Sequence, residues 1–473
     1  MAAPMRSVPQ PYRRVWLIVL VVLVAVPALV ITIVTLIGQR ALTKTTDNVT
    51  FTRGDWQPPT QALLSSPMQV RPVPGWRTTT TDLGVTDAEP SAPPLFANDP
   101  APFRSDSYLG NVDDRAFFMV GNVGAPAPQW WLVAIDVSNG GRVFRPVPLI
   151  TSHARPRCYL NGPDAVLCLT DDANDTTAWV INSHSGIVEY SGPTPLTVYS
   201  SRFIMQQAGI YAVAMKQYEG IYGIGPTANT SWFVPGYGTL DTDVRNPFLF
   251  APPSLATQSA GRGADRTITF SLKDGTVVRP EIAAGQQQER AVTYLGGFAA
   301  EVAVPRGTTD VQFFDDTGRR AGQNSAPGTL VGSGGLPLVN LTGGGWALFN
   351  TRGEVLIQRA APEDAQPAVI GDFLLISGDQ REDKHQYDLK SGAEMKACDL
   401  PSGYFASDGR VALGYHGYAD TVSTLAAVDL ATCDTLWTTQ SPVGSFRKLW
   451  RINTTLVQLS DDGKELMSLV APS

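Results

Sequence analysis

The sequence contains few of the residues and motifs that usually carry out catalysis. Its 473 residues include four His and four Cys, and neither a C-x-x-C motif nor a C-C pair occurs. The motifs G-x-S-x-G and H-E-x-x-H are absent, and the four His are scattered along the chain. We therefore predict that the protein is not an enzyme and that it has no catalytic residue, no cofactor site and no metal site.

Charged residues are also scarce. They make up 17% of the chain, and the formal net charge is −7. A protein that binds nucleic acid would need a basic patch, and an intrinsically disordered chain would carry more charge. The composition thus predicts a folded chain that does not bind nucleic acid.

Long apolar runs are missing, with one exception near the N-terminus. Residues 15–38 read VWLIVLVVLVAVPALVITIVTLIG and contain no charged residue. As a helix they would extend about 36 Å, which is enough to cross a hydrocarbon core of about 30 Å. Arg6, Arg13 and Arg14 precede the run, so the positive-inside rule predicts a cytoplasmic segment 1–14, a transmembrane helix 15–38 and a single pass through the inner (plasma) membrane. The rest of the chain would then lie outside the cytoplasm.

The four cysteines favour the same compartment. Cys158 and Cys168 flank the turn NGPD, and Cys398 and Cys433 lie in neighbouring repeat units. We predict the disulfides Cys158–Cys168 and Cys398–Cys433, which are one of three possible pairings. Disulfides require an oxidising compartment, whereas the alternative of four buried free thiols would not.

Two further segments follow the predicted anchor. Residues 39–107 are rich in proline and have little periodicity, which predicts an extended stalk, although a linker without structure or a stalk partly packed on the body are alternatives. Residues 108–473 contain short apolar runs separated by Gly, Asn and Asp, with little helical periodicity. We predict that this second segment is an extracytoplasmic all-β domain.

One strand–turn–strand unit recurs in the second segment at intervals of roughly 40 residues, which is typical of β-propellers. Glycine at its turn supplies the positive φ of a tight hairpin. The turn positions of the seven copies are Gly140, Gly186, Gly275, Gly318, Gly353, Gly392 and Cys433.

The copies predict seven blades, with eight as the alternative. The double interval after Gly186 indicates a degenerate copy, which we place at Gly220. We expect the last hairpin, LVQLSDDGKELMSL, to close the ring with the strand RAFFMVGN at 115–122. A two-sheet sandwich is the structural alternative, but it would not need one turn signature repeated this often.

The copies AAVDLATCDTLW and HQYDLKSGAEMK resemble the repeat A-x-D-x-x-[TS]-G-x-x-x-W of pyrroloquinoline-quinone-type propellers. That family includes quinone-dependent alcohol dehydrogenases and non-catalytic envelope assembly factors. The resemblance implies the propeller fold. The adjacent cysteine pair of the enzymes is missing here, which favours the non-catalytic members.

The layout of anchor, proline-rich stalk with PMQVRPVPGW, and propeller resembles a group of membrane proteins from mycolate-bearing actinobacteria. The group includes a polar growth factor that associates with the exporter of trehalose monomycolate. This resemblance implies a mycolate glycolipid such as trehalose monomycolate as ligand and a lipid exporter as membrane partner.

Aromatic residues beside Gly or Pro are the candidates for ligand contact, because loops at a propeller mouth could present flat apolar faces to a sugar or an acyl chain. For any single ring, packing inside a blade is the alternative. The candidates are Trp130, Trp131, Trp232, Tyr237, Tyr415 and Tyr418.

These observations lead to three hypotheses. The first is a non-catalytic accessory or binding factor in cell-envelope biogenesis, which binds the glycolipid and the exporter. The second is a protein-interaction scaffold without a small ligand. The third is a degenerate quinoprotein or a glycan-acting enzyme, which would need two carboxylates about 5–10 Å apart in a closed pocket.

Overall fold

The computed structural model describes most of the chain after residue 59. The described ranges are 60–85, 92–96, 106–122, 125, 128–151, 155–172, 175–197, 203–240, 252–262, 264, 266–304, 308–331, 335–359, 366–377, 384–400, 403–419, 422–442 and 447–472. The predicted cytoplasmic segment 1–14, the predicted anchor 15–38 and part of the predicted stalk 39–107 lie outside them. No helix in these ranges is long and apolar enough to span a bilayer.

Every regular element in the described ranges is a β-strand. Most strands are short and pair antiparallel with their neighbours in the chain. Inner strands such as Arg115–Gly121 and Trp346–Phe349 are buried on both sides, as sheets packed on both faces in a propeller require. The first eleven strands are β1 (Val73–Thr79), β2 (Leu95–Phe96), β3 (Tyr108–Val112), β4 (Arg115–Gly121), β5 (Trp130–Asp136), β6 (Gly141–Arg142), β7 (Val147–Leu149), β8 (Arg157–Leu160), β9 (Ala165–Asp172), β10 (Asp175–Asn182) and β11 (Val188–Pro193).

The middle of the chain forms thirteen strands. They are β12 (Ile204–Ala208), β13 (Tyr211–Lys216), β14 (Gly220–Ile224), β15 (Thr230–Pro235), β16 (Leu255–Ser259), β17 (Thr267–Ser271), β18 (Gln287–Tyr294), β19 (Gly297–Val304), β20 (Thr308–Asp315), β21 (Arg320–Val331), β22 (Leu338–Leu341), β23 (Trp346–Phe349) and β24 (Val355–Arg359).

Eleven more strands complete the fold. They are β25 (Gln366–Ile370), β26 (Phe373–Ser377), β27 (Lys384–Asp388), β28 (Glu394–Met395), β29 (Gly403–Ser407), β30 (Val411–Ala419), β31 (Val422–Asp429), β32 (Thr435–Pro442), β33 (Leu449–Ile452), β34 (Thr455–Leu459) and β35 (Glu465–Val470).

The strands form nine blades. Eight sheets are present in the described ranges, and one of them has seven strands, β18 to β24. Its fourth strand, β21, pairs with β20 through residues up to Pro327 and with β22 from Gly328 onward. This strand is therefore the last strand of blade 5 and the first of blade 6, so the seven-stranded sheet is two four-stranded blades. The remaining seven sheets are blades 1 to 4 and 7 to 9.

Blade 4 is the smallest sheet. Its two strands, β16 and β17, are flanked by isolated bridges, Leu240 with Gln258 and Phe270 with Val277. The two bridges occupy the positions that a first and a fourth strand have in the other blades. We therefore count this sheet as a reduced four-stranded blade.

The prediction of an all-β propeller is confirmed, but the predicted count of seven or eight blades is wrong. If the strands of a blade are named A to D in the order in which they pair, the repeated glycine turn joins strands C and D. Eight such turns occur, and their residues with positive φ are Gly140, Gly186, Ala228, Gly275, Gly318, Gly353, Gly392 and Cys433. The ninth blade has no C–D turn because its D strand comes from the other end of the chain. Counting turns thus undercounts blades by one.

Two details of the expected repeat also differ. The degenerate copy is not at Gly220, which lies at the B–C turn of blade 3, but at the C–D turn that contains Ala228, with φ 53°. Ring closure does not use the strand at 115–122, since β4 belongs to blade 1. Instead, β1 pairs with β35, Val73 opposite Val470. Residues of the predicted stalk therefore form the outermost strand of blade 9.

The segment before β1 is fastened to the same end of three blades. The side-chain amide of Gln61 exchanges two hydrogen bonds with the backbone of Gly371, at 3.1 and 2.8 Å, in the A–B turn of blade 7. Leu64 N donates to Ser407 O at 2.8 Å, in blade 8. Met68 is fully buried between blades 8 and 9, and its carbonyl accepts a hydrogen bond from Trp437 Nε1. Residues 61–68 therefore strap blades 7, 8 and 9 together.

Neighbouring blades contact each other at the C–D turns. A Cβ at Gly275 would lie 2.6 Å from the ring of Trp232, which comes from the D strand of the preceding blade. Gly140 has the same relation to Trp76 of β1, and Gly186 to Phe144. Glycine at these turns therefore provides both the positive φ and the space for an aromatic ring. We call the D-strand residue that touches the next turn the docking residue.

Both predicted disulfides are confirmed. Cys158 and Cys168 face each other on the paired strands β8 and β9 of blade 2. Cys398 follows the D strand of blade 7 and is bonded to Cys433 in the C–D turn of blade 8. This second disulfide thus links the two blades at the place where other pairs of blades use a docking residue.

Candidate binding surface

Four of the six candidate rings belong to the packing between strands or blades. Trp130 is 6% exposed in the core between blades 1 and 2, and Trp131, on the opposite side of β5, packs against the core shared with blade 9. Trp232 is the docking residue of blade 3 and contacts Phe270 of blade 4 edge-on, with ring centroids 6.1 Å apart. Tyr415 stacks on Phe405 at 5.5 Å beside the core of blades 8 and 9.

The other two candidates have different outcomes. Tyr418 lies in β30, but its side chain is outside the described part of the structure. Tyr237 lies just after β15 of blade 3, where it contacts a second tyrosine, Tyr218. The structure therefore brings Tyr237 into an exposed aromatic cluster and does not bring the six candidates together.

This cluster forms the B–C end of blade 3. Strands β13 and β15 end there and β12 and β14 begin there, so rings from all four strands or their adjoining loops collect at one end of the sheet. Tyr218 is 59% exposed, and Phe233 is 45% exposed. We call this end the blade-3 aromatic surface, defined by Phe203, Tyr218, Tyr222, Phe233 and Tyr237.

Three of its rings form a row of ring contacts. Phe233 stacks on Tyr222 with centroids 4.5 Å apart, and Phe203 meets Tyr222 edge-on at 5.2 Å. The Tyr222 hydroxyl donates to Glu219, which also forms an ion pair with Lys216. Burial and this hydrogen bond raise the pKa of Tyr222 to about 12, and Lys216 followed by Tyr222 lowers the pKa of Glu219. The carboxylate is thus ionised at neutral pH and already occupied by partners within blade 3.

Tyr218 and Tyr237 form a corner beside this row. Their rings are 5.3 Å apart and nearly perpendicular, at 86°. Tyr218 has φ 65°, a conformation that costs a non-glycine residue about 1–2 kcal/mol and that is often found at ligand sites. Tyr218 N donates to Tyr237 O at 2.8 Å, so the B–C turn and the segment after β15 are directly connected.

A buried glutamine fixes the backbone beneath this corner. Gln258 is fully buried, its Nε2 donates to Val234 O, and its Oε1 accepts from Gly238 N at 3.1 Å. A Cβ at Gly238 would lie 2.0 Å from Lys216 O, and Gly238 has φ 78°. The two tyrosines are therefore held in place before any ligand arrives, which reduces the ordering cost of binding.

The sequence pattern missed four of these five rings as site residues. The segment SWFVPGYG indicated the right loop, but alternation along β15 places Trp232 and Phe233 on opposite sides of the sheet. Tyr218 and Tyr222 lie in KQYEGIYGI, where a high density of Tyr beside Gly at a B–C turn was the available signal. Phe203 joins them through sheet pairing, which the linear sequence does not show.

No group of three His, Cys, Asp or Glu in the described ranges could hold a metal ion. The buried acid Glu301 accepts a hydrogen bond from Leu330 N at 2.6 Å, while Arg290 donates to Leu330 O at 2.6 Å. Burial raises the pKa of Glu301. Both side chains form hydrogen bonds with the backbone of β21 where this strand passes from blade 5 to blade 6. They therefore stabilise the junction of these two blades.

The sequence matches the family described as the conjugation-associated 9-bladed beta-propeller domain over residues 48–472. The chain belongs to this family, and the nine blades agree with its description. An uncharacterised protein of Mycolicibacterium smegmatis (strain MKD8) is 37% identical over 488 residues, which cover 99% of this chain and 98% of the relative.

Solved structures with a similar fold are more distant. BamB from Moraxella catarrhalis is 12% identical, with a TM-score of 0.32 over 84% of this chain and 99% of that protein. The dihydro-heme d1 dehydrogenase NirN is 13% identical, with a TM-score of 0.33 over 82% of this chain and 81% of that protein. With TM-scores below 0.5, neither similarity supports a functional assignment.

Proposed function

We propose that this chain is a non-catalytic, membrane-anchored binding component of an assembly in the cell envelope, and that it binds its partner through the blade-3 aromatic surface. The observation that carries the proposal is the exposure of Tyr218 and Phe233 on a fixed backbone. Large aromatic residues are enriched in binding hot spots, because they bury much area at a small entropic cost. Tethering to a membrane would raise the effective concentration for a partner in the same membrane.

The disulfides and the predicted anchor support an extracytoplasmic location. Both disulfides favour an oxidising environment, so the propeller would lie on the extracytoplasmic side of the inner (plasma) membrane. The family description favours a partner in a conjugation-associated assembly rather than a lipid exporter. Our second proposal is that the chain belongs to the polar growth factor group and binds a mycolate glycolipid. The exposed rings support it, because they could stack on the sugar of the glycolipid.

Site-specific photo-crosslinking in native membranes tests the role of this surface. A photo-reactive residue at Gln217, exposed beside Tyr218, should crosslink to an envelope protein. The matched control is Asn229, which is exposed at the opposite end of blade 3. Crosslinks from Gln217 should disappear in the double variant Tyr218→Ala, Phe233→Ala. Equal products from Gln217 and Asn229, or products that survive the double variant, would refute the proposal.

A further inference from the structure

We infer that the corner formed by Tyr218, Tyr237 and Arg262 binds a sugar ring that carries an anionic group. The inference rests on the proposed function, because it names the ligand class for one part of the blade-3 aromatic surface. Three observations support it: the shape of the corner, its hydrogen-bond donors and its charge.

The shape of the corner suits one saturated ring. The face of one tyrosine and the edge of the other meet at 86°, with centroids 5.3 Å apart. Tyr218 keeps 59% of its surface exposed, so its ring offers a flat apolar platform beside the wall formed by Tyr237. The C–H face of a pyranose can stack on such a platform while its hydroxyl groups stay at the polar rim. A long acyl chain would instead need an enclosed apolar groove.

The rim of the corner is rich in hydrogen-bond donors. Gln217 Nε2 lies 3.5 Å from the Tyr237 hydroxyl, and the Arg262 guanidinium lies over one face of the Tyr218 ring, 5.9 Å from its centre, which leaves the other face for a sugar. A side-chain hydrogen bond to Tyr237 raises the pKa of Tyr218, so its phenol stays protonated and can donate at neutral pH. Phenol, amide and guanidinium groups together match the hydroxyl and carboxylate oxygens of a sugar acid.

The charge of the corner decides between ligand classes. Lys216 and Glu219 neutralise each other, and among the described residues no carboxylate forms an ion pair with Arg262. Arg262 brings a guanidinium to the corner, and a guanidinium binds a carboxylate or phosphate in two-point geometry. An anionic sugar therefore fits the corner better than a neutral one.

The test is a titration of the full-length protein in detergent micelles, followed by saturation-transfer NMR. The probes are methyl β-glucuronide, which is anionic, and methyl β-glucoside, its neutral counterpart. We expect the glucuronide to bind about tenfold more tightly than the glucoside, since a charge-assisted contact adds roughly this factor. Tyr218→Ala should abolish saturation transfer to both sugars. Arg262→Gln should remove the preference for the glucuronide and retain binding of the glucoside.

Asn229→Ala is the control variant, because it changes an exposed polar residue at the far end of the same blade. Each variant should keep the thermal unfolding midpoint of the parent, which separates lost binding from lost folding. No binding of either sugar at about 10 mM, or binding unchanged in Tyr218→Ala, would overturn the inference. If crosslinks from Gln217 persist in that case, the proposed function stands and only the ligand class is wrong.

Discussion

Trp232 and Phe233 are neighbours in β15, and their surroundings differ completely. Trp232 lies against the C–D turn of blade 4, where Gly275 leaves room for its ring. Phe233 points to the other side of the sheet, stacks on Tyr222 and leaves 45% of its surface exposed. Consecutive residues of a strand face opposite sides, so one ring joins two blades and the other is available to a partner. The comparison separates aromatic residues that build the ring of blades from those that can bind.

The largest effect should come from removing the docking residue together with its strand. A variant that begins at residue 86 lacks β1, and with it Trp76, whose Nε1 donates to Val137 O at 2.8 Å in blade 1. Blade 9 would then keep three strands and lose the contact that Trp76 makes with the C–D turn of blade 1. We expect loss of cooperative unfolding in calorimetry and rapid cleavage in limited proteolysis. A variant that begins at residue 60 keeps both residues 61–68 and β1, and it should unfold cooperatively. If the two variants behave alike, β1 does not close the ring.

Single substitutions in β15 test the comparison itself. Trp232→Ala leaves a cavity at the junction of blades 3 and 4, and should lower the free energy of unfolding by about 3 kcal/mol. Phe233→Ala should cost less than about 1 kcal/mol, because much of the ring is already in water. Denaturant titration of both variants measures the difference. Equal losses would mean that the two sides of the strand are not distinct.

The disulfide between blades 7 and 8 allows a similar test without an aromatic ring. Replacing Cys398 and Cys433 by Ser should lower stability by about 3 kcal/mol under oxidising conditions. Cys433 has φ 66°, at a position where most other blades have glycine. The variant Cys398→Ser, Cys433→Gly should therefore regain about 1 kcal/mol relative to the double Ser variant. If the variant with Gly is no more stable than the double Ser variant, backbone strain at residue 433 contributes little to the free energy of unfolding.

A smaller effect is expected at Asp429, which supports the same turn. Burial alone raises the pKa of Asp429, but hydrogen bonds from Ala431 N and Thr432 N, together with Arg410, outweigh it and lower the pKa below 3.8. A lowered folded-state pKa stabilises the fold above the ordinary pKa of Asp, and this contribution is lost as the pH falls through the folded-state value.

The variant Asp429→Asn should accordingly cost about 1 kcal/mol at pH 7 and progressively less as the pH falls below the ordinary pKa of Asp. Thermal unfolding of parent and variant across this pH range checks it. Asp136→Asn at the exposed turn of blade 1, where Ser138 lowers the pKa of Asp136, is the matched control. A loss at pH 3 as large as at pH 7 would contradict a role for the ionised carboxylate.

The sequence contained much of the fold. Glycine with positive φ at a hairpin is a local requirement, so six turn positions could be predicted from single glycines, and Cys433 from its place in the repeat. Both cysteine pairs were predicted as well. Ala228 was missed because a non-glycine residue occupies its positive-φ turn, and the blade count failed because β1 pairs with a strand almost 400 residues away. Closure over such a distance depends on tertiary packing, which leaves no local signature.

The candidate surface could be predicted only in part. The density of rings around Trp232 and Tyr237 marked the right blade. Which rings are exposed depends on the side of the sheet that each strand residue faces, and on the neighbouring blade that covers it. Trp130 and Tyr415 are covered in this way, whereas Tyr218 is not.

The pairing of β1 with β35 also determines when, during synthesis, the ring of blades can close. The ribosome makes Val73 long before Val470, so the outermost strand of blade 9 stays unpaired while the other eight blades are synthesised. A chain that terminates before β35 has no partner for β1. It therefore cannot close the ring of blades, even if its first eight blades fold. We expect proteases to remove such chains.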